Sequence, residues 1–304
     1  MDLIELLKAA LFGIVEGITE WLPISSTGHM LLLDQFVRLN VSSDFWDMFL
    51  VVIQLGAILA VCVLFFHDLN PFAPSKTKEE RRFTWGLWAK IVVACIPAAV
   101  VGLPLDDLIE ERLSGPFVIA AALIFYGVGF IVIERWRESR ALREGQGYEA
   151  RHLAEQGDLT PAELSDATAR VQDITELGWG RALGIGVFQV LSIIPGTSRS
   201  GSTIIGGLLL GCSRPVAAEF TFYLAVPVMV GASGLRLVKY FLKGNMFTGQ
   251  ELAILGMGCV VAFVVSVVVI RLLMEFVRRH DFKPFGVYRI VLGVAVIAYF
   301  ALRG

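Results

Sequence analysis

Two stretches decide how the chain is read: GIVEGITEWLPISSTGHM, residues 13–30, and GVFQVLSIIPGTSRSGST, residues 186–203. One shift of 173 positions carries Gly13 onto Gly186, Ser25 onto Ser198 and Gly28 onto Gly201 without a gap. The same shift pairs Glu16 with Gln189, Thr19 with Ser192 and Thr27 with Ser200. Each stretch is apolar, carries polar groups, breaks at a Pro, turns through Ser, Thr and Gly, and becomes apolar again. Both read as broken helices whose turns lie inside a membrane. Irregular backbone is tolerated there only where protein buries it or it lines a cavity.

The rest of the chain supplies that membrane. Of 304 residues, 56% are hydrophobic and only 18% charged, and mean hydropathy is +0.69. Apolar runs of about 20 residues recur, as a bilayer core requires. The fold class is therefore all-α and polytopic. A net charge of -2 offers no basis for a nucleic-acid partner. Cys62, Cys95, Cys212 and Cys259 lie scattered in apolar runs with no CxxC spacing and read as small buried residues. MDLIELLKAA, residues 1–10, has no basic leader and does not read as a cleavable signal.

Residues 1–134 form a first repeat: a re-entrant hairpin at about 3–37, then spans at about 45–66, 85–105 and 116–133. Residues 181–304 form a second, with a hairpin at about 182–210 and spans at about 216–238, 252–277 and 285–302. Residues 106–112 read as a short acidic link between spans. Between the repeats lies a hydrophilic insert, 135–180, read as a solvated surface element without chemistry. Within it, Thr160-Pro161-Ala162-Glu163 has the order of a capping box and opens a helix to about Val171. Three spans per repeat is an odd number, so the second copy is expected to be inverted. Most Lys and Arg fall in 67–84, 135–181 and 276–284, which places that side in the cytoplasm and both termini outside. The two turns are then expected to meet near the middle of the bilayer.

Glu16 and Glu20 are one helical turn apart, and two carboxylates in apolar sequence are costly unless paired, hydrated or bound to a cation. They read as a metal site for Mg²⁺ or Ca²⁺ completed by phosphate oxygens, or as carboxylates that brace the turn through Ser and Thr. Ser26 and His29 read as a nucleophile with a base, as a phosphate donor with a general acid, or as parts of a hydrogen-bonded polar turn, flanked by Ser25 and Thr27 as binding hydroxyls. Arg199 is an obligate cation in a turn with Thr197, Ser198, Ser200 and Gly201, which together read as a phosphate cradle at a helix N-terminus. A salt bridge from Arg199 to Glu16 or Glu20 is the plain structural alternative. The full set is equipment for phosphoryl transfer on a substrate with a lipid tail.

Residues 16–29, EGITEWLPISSTGH, and 195–201, PGTSRSG, resemble the two signatures of the undecaprenyl-diphosphate phosphatase family, and the resemblance covers nearly the whole chain. It implies an enzyme of the bacterial inner membrane that removes the terminal phosphate of undecaprenyl diphosphate. That step recycles the lipid carrier for peptidoglycan and confers bacitracin resistance. The resemblance makes Glu16 and Glu20 the acidic pair, Ser26 and His29 the hydroxyl and imidazole, and Arg199 the phosphate-binding cation. The implied partners are the polyprenyl diphosphate lipid and membrane lipids; a homo-oligomer is left open. The insert is longer than the family usually carries. Transporters share the architecture of broken helices, so a polyprenyl-phosphate transporter or flippase is the competing reading.

Overall fold

The computed structural model describes residues 2–144 and 160–303. Helices α1 (Leu3–Thr19) and α2 (Ser26–Asp34) are separated by a turn. They are followed by α3 (Ser43–Val52), α4 (Gln54–Leu64), the single turn α5 (Phe66–Leu69), α6 (Lys78–Leu113) and α7 (Pro116–Glu144). After residues 145–159, which lie outside the described residues, come α8 (Pro161–Ala167), α9 (Trp179–Val190), α10 (Arg199–Leu209), α11 (Arg214–Leu242), α12 (Gly249–Arg279) and α13 (Lys283–Arg303). Among the described residues, six segments are long and apolar enough to cross a membrane: Ser43–Leu64, Lys78–Leu105, Pro116–Arg143, Arg214–Leu242, Gly249–Arg279 and Lys283–Leu302. The shortest, 20 residues, reaches about 30 Å at 1.5 Å per residue, which matches a hydrocarbon core.

Side chains close the helix starts. Asp2 accepts from the N–H of Ile4 at 2.9 Å, and Ser42 accepts from the N–H of Phe45 at 3.2 Å. The capping box at Thr160 forms in both directions. Thr160 Oγ1 accepts from the N–H of Glu163, and the N–H of Thr160 donates to Glu163 Oε2.

Helices α6 and α7 outrun the apolar runs that announce them. The stretch 106–112 is no free link, because α6 continues through it and stops at Leu113, before Ser114 and Gly115. Pro97 and Pro104 sit inside α6 without ending it. Charge gathers toward the two ends of α6 and in the last eleven residues of α7. Hydropathy marks where lipid ends, whereas a helix stops only where a Gly or a cap stops it. The insert also departs from a purely solvated element. Its helix ends at Ala167, and Leu164, Val171 and Leu177 are buried. Asp166 pairs with Arg214 at 3.0 Å and Arg137 at 3.1 Å. Arg214, fully buried, also binds Glu134.

The chain divides into two compact units that each draw on both halves of the sequence. The first comprises 1–21, 29–88 and 222–271; the second comprises 22–28, 89–221 and 272–304. In the first, Ala9 and Phe12 of α1 share a core with Phe45, Phe49 and Ile53 and with Ile254 and Ala262 of α12. In the second, α7 lies on α13 with Gly127 against Gly286: a Cβ on either would stand 2.7 Å from the other's carbonyl oxygen.

The paired stretches repeat one backbone. Helices α2 and α10 start at residues 26 and 199, the same 173 apart. The only described residues other than Gly with positive φ are Ser25 at 71° and Ser198 at 72°, which the shift also pairs. Holding an L residue there costs on the order of 1–3 kcal/mol and persists only where its surroundings fix it. Within its own unit, Gly13 presses on α12, where a Cβ would meet the Gly258 carbonyl at 2.7 Å, and Gly186 presses on α6, where a Cβ would overlap the Ala94 carbonyl. Gly13→Ala and Gly186→Ala are each expected to destabilise by about 1–3 kcal/mol through overpacking. Gly86→Ala, with nothing within 4 Å of the added carbon, is expected to leave the melting temperature of detergent-solubilised protein unchanged or raised. Equal melting of all three variants would contradict the close approach.

Candidate active site

The acidic pair sits at the end of α1. Glu16 lies in its last turn and Glu20 caps it, donating its N–H to the Glu16 carbonyl at 3.0 Å. Both side chains are buried, at 1% and 7% exposure. The C-terminal end of a helix carries the negative end of its dipole. Two buried carboxylates there therefore favour a cation strongly. Next to them the indole of Trp21 is fully buried and meets Phe222 edge-on at 5.4 Å.

The first turn is tighter than its sequence suggests. The break expected over 22–29 closes at Ser25, so Ser26, Thr27 and His29 stand in the first turn of α2 rather than in a loop. Ser25 is buried, Ser26 and His29 are half-buried and Thr27 is exposed. Ser26 and His29 remain three residues apart, one helical turn.

The second turn follows the short 3-10 segment Leu191–Ile193 and ends where Ser198 caps α10, its Oγ accepting from the N–H of Gly201 at 3.1 Å. Thr197 and Ser200 are buried. Arg199 Nη1 donates to the Thr221 carbonyl at 3.3 Å. Thr221 in turn donates to Thr203 Oγ1 at 2.9 Å, and Thr203 donates to the Arg199 carbonyl at 2.9 Å. This ring fixes the root of the Arg199 side chain. The N-terminal end of α10 is the positive end of its dipole, so Arg199 and the helix favour an anion together.

Residues 22–28 and the second turn belong to one unit and touch. Ser200 Oγ donates to the Leu22 carbonyl at 3.3 Å. The stronger tie is Arg289, a residue of α13 that the sequence reading passes over. It is fully buried. Its Nη1 donates to the Pro23 carbonyl at 3.1 Å, and its Nη2 donates to those of Gly196 and Thr197, each at 2.9 Å. Its guanidinium carbon lies 5.8 Å from the centre of the Tyr126 ring. One forked cation thus satisfies carbonyls from both turns. The available signal was a single Arg in the apolar run 285–302, and an ionisable group inside a span is a candidate for function by default. Gln189, which the shift pairs with Glu16, is also buried, and its amide N and O have no hydrogen-bond partner among the described residues.

Among the described residues no group of three or more His, Cys, Asp or Glu gathers to hold a metal ion. Glu16 and Glu20 fit Mg²⁺ or Ca²⁺ in kind, as hard oxygen donors, but supply only part of a shell of six or more.

Arg289→Lys replaces the fork by a point charge, and Arg289→Met strands the carbonyls of Pro23, Gly196 and Thr197. Each buried acceptor left unpaired costs about 1–3 kcal/mol. The melting temperature is expected to fall in the order parent, Lys, Met. Amide exchange at 22–28 and 195–201 is expected to quicken together. Turns that stay protected in Arg289→Met would refute the tie.

The Bacitracin resistance protein BacA family matches residues 9–295. The chain is 52% identical over 301 residues to an undecaprenyl-diphosphatase of Streptococcus thermophilus, covering 99% of this chain and 95% of that one. It is 49% identical over 300 residues to one of Lactiplantibacillus plantarum, covering 99% of each chain. It is 47% identical over 292 residues to one of Enterococcus faecalis, covering 96% of each. Likeness at this level, end to end, assigns the family: the chain belongs to the BacA family.

Proposed function

We propose that the chain is an integral membrane phosphatase that hydrolyses undecaprenyl diphosphate to undecaprenyl phosphate and inorganic phosphate. It thereby recycles the lipid carrier for peptidoglycan synthesis and confers bacitracin resistance. The observation that carries this reading is end-to-end identity of about one half to undecaprenyl-diphosphatases. In the reaction an oxygen attacks the terminal phosphorus, the bond to the bridging oxygen breaks, and that oxygen leaves on the lipid monophosphate and takes up a proton.

The roles follow from the chemistry of each group. Arg199 offers a fixed fork to phosphate oxygens, with the amides that open α10 and the hydroxyls of Thr197, Ser198 and Ser200 beside it. The amide of Gly201 is already held by Ser198, so Gly201 serves by keeping that end of the helix free of a side chain. Ser25 and Thr27 serve binding in the first turn. Either Ser26 supplies the attacking hydroxyl and a water then breaks the resulting Ser26 O–P bond to release inorganic phosphate, or Ser26 orients a water that attacks directly; His29 moves the proton. Glu16 and Glu20 would hold Mg²⁺ or Ca²⁺. When bound, the ion supplies positive charge against the diphosphate.

The paired turns support an inverted repeat with two re-entrant hairpins. The basic stretches 67–84 and 276–284 support a cytoplasmic face there, with the termini outside. Cysteine placed at Glu111 is expected to react with an impermeant thiol reagent on intact spheroplasts, and cysteine placed at Lys78 is not. The opposite labelling would reverse the orientation.

Phosphate release from detergent-solubilised protein, with no membrane to cross, tests the enzymatic reading against pure transport. The parent is expected to release phosphate. Loss of one charge-stabilising donor costs about a hundred- to a thousandfold, so Arg199→Ala is expected to be slower by roughly that factor at an unchanged melting temperature. Arg199→Lys is expected to recover part of the loss. No release by the parent would leave transport as the activity. Chelation by EDTA is expected to stop turnover and added Mg²⁺ or Ca²⁺ to restore it. Full turnover in chelator would leave Glu16 and Glu20 a structural role.

A further inference from the structure

A second cluster of cations lies away from the two turns. A cavity of about 60 Å³ opens where α7 leaves its apolar run. Arg137 and Arg140 of α7 line it on one side, Thr168 and Arg170 of the segment after α8 on another, and Leu208 and Gly211 at the end of α10 on the third. No carboxylate is among the described residues that line it. A water needs roughly 10–15 Å³ of such space, so the cavity takes several waters or one phosphate group.

Guanidinium groups dominate its walls. Glu134 and Asp166 are met by Arg214 and Arg137, and Arg140 and Arg170 also line it. Arg137 is 7% exposed. Its Nη2 donates to Asp166 and to the Cys212 carbonyl. Its buried Nη1 stands 4.0 Å from Glu134 and has no hydrogen-bond partner among the described residues. A buried donor without an acceptor is costly and calls for one. Arg140 lies 5.6 Å from the centre of the Trp136 ring, which aligns a planar cation at the rim. The negative end of α10 does not oppose this strongly, because its last carbonyls are already taken. Gly206, Gly207 and Leu208 accept from Leu210, Cys212 and Gly211, and the Gly211 carbonyl accepts from the N–H groups of Arg170 and Val171.

Trp136 is 45% exposed at the level where the apolar run of α7 ends. Indole rings prefer the headgroup level of a bilayer, and basic pockets between helices at that level bind phosphate-bearing lipid headgroups. We propose that Arg137, Arg140 and Arg170 form a phosphate-binding site at the membrane surface, separate from the site on the two turns, that takes a phosphomonoester or phosphodiester anion. An anion there joins α7 to the segment that is zipped, through Arg170 and Val171, onto the end of α10. It therefore braces the helix whose other end carries Arg199.

The test uses purified full-length Arg199→Ala protein in a zwitterionic detergent, so that the turn cation does not contribute. Its melting temperature is followed while phosphatidylglycerol, or separately inorganic phosphate, is titrated at constant ionic strength, with phosphate-free diacylglycerol as the control. Phosphatidylglycerol is expected to raise it, and adding Arg140→Gln and Arg170→Gln is expected to weaken the apparent affinity at least tenfold. A rise with lipid alone assigns a headgroup, and a rise with both ligands assigns the phosphate group itself. Arg170→Gln alone changes an exposed side chain whose backbone holds the turn, so it is expected to fold and to weaken binding at least threefold. No rise with either ligand, or equal rises in the parent and the Arg170→Gln protein, would overturn the site.

Discussion

The guanidinium of Arg289 decides how the two turns can be built. A turn of broken helix exposes carbonyls that helix geometry would have satisfied, and in an apolar surrounding each must find a donor. Arg289 reaches the carbonyls of Pro23, Gly196 and Thr197 at 2.9 to 3.1 Å. It brings its charge to carbonyl dipoles from three peptide units and to the face of Tyr126. An Arg suits this task where Lys does not, because its five donors diverge in a plane. The cost of burying the cation is offset only while both turns keep their shape, so the tie makes the turns depend on one another.

That dependence explains why strain can be held at paired positions. Ser25 and Ser198 keep positive φ at the hinge of each turn, and each hands the chain to a helix whose first residues carry hydroxyls. The strained residue sets the direction of that helix. In the second turn Ser198 also caps it, so one residue bends the chain and meets an orphan amide. Substituting Gly would relax the bend and lose the cap, and Ala would keep the strain and lose the cap. Arg199, the next residue, is thereby placed by the backbone rather than by its own long and mobile side chain.

Much of this was legible in sequence. The shift of 173 positions located both turns, which share helix starts and a positive-φ Ser at the paired positions. The capping box at Thr160 was legible because its partners lie three residues apart. What was not legible is long-range. Arg289 is one residue in an apolar run, and nothing local says that it reaches carbonyls 92 and 266 positions away. Arg214 and Glu134 are 80 positions apart, so the insert read as a solvated surface although Asp166 locks it to that pair. Helix ends stayed hidden for a different reason. Hydropathy reports the bilayer, and α6 and α7 run on past it with charged residues.

The central claim is that the two turns act together on one diphosphate. A double-mutant cycle on Ser26→Ala and Arg199→Ala, read as kcat/KM for phosphate release, tests it most directly, because residues that work as a unit lose function together rather than independently. The account predicts that the double variant is no more than about threefold slower than the slower single variant. Losses that multiply in full would contradict it and mean that the turns serve separate ends.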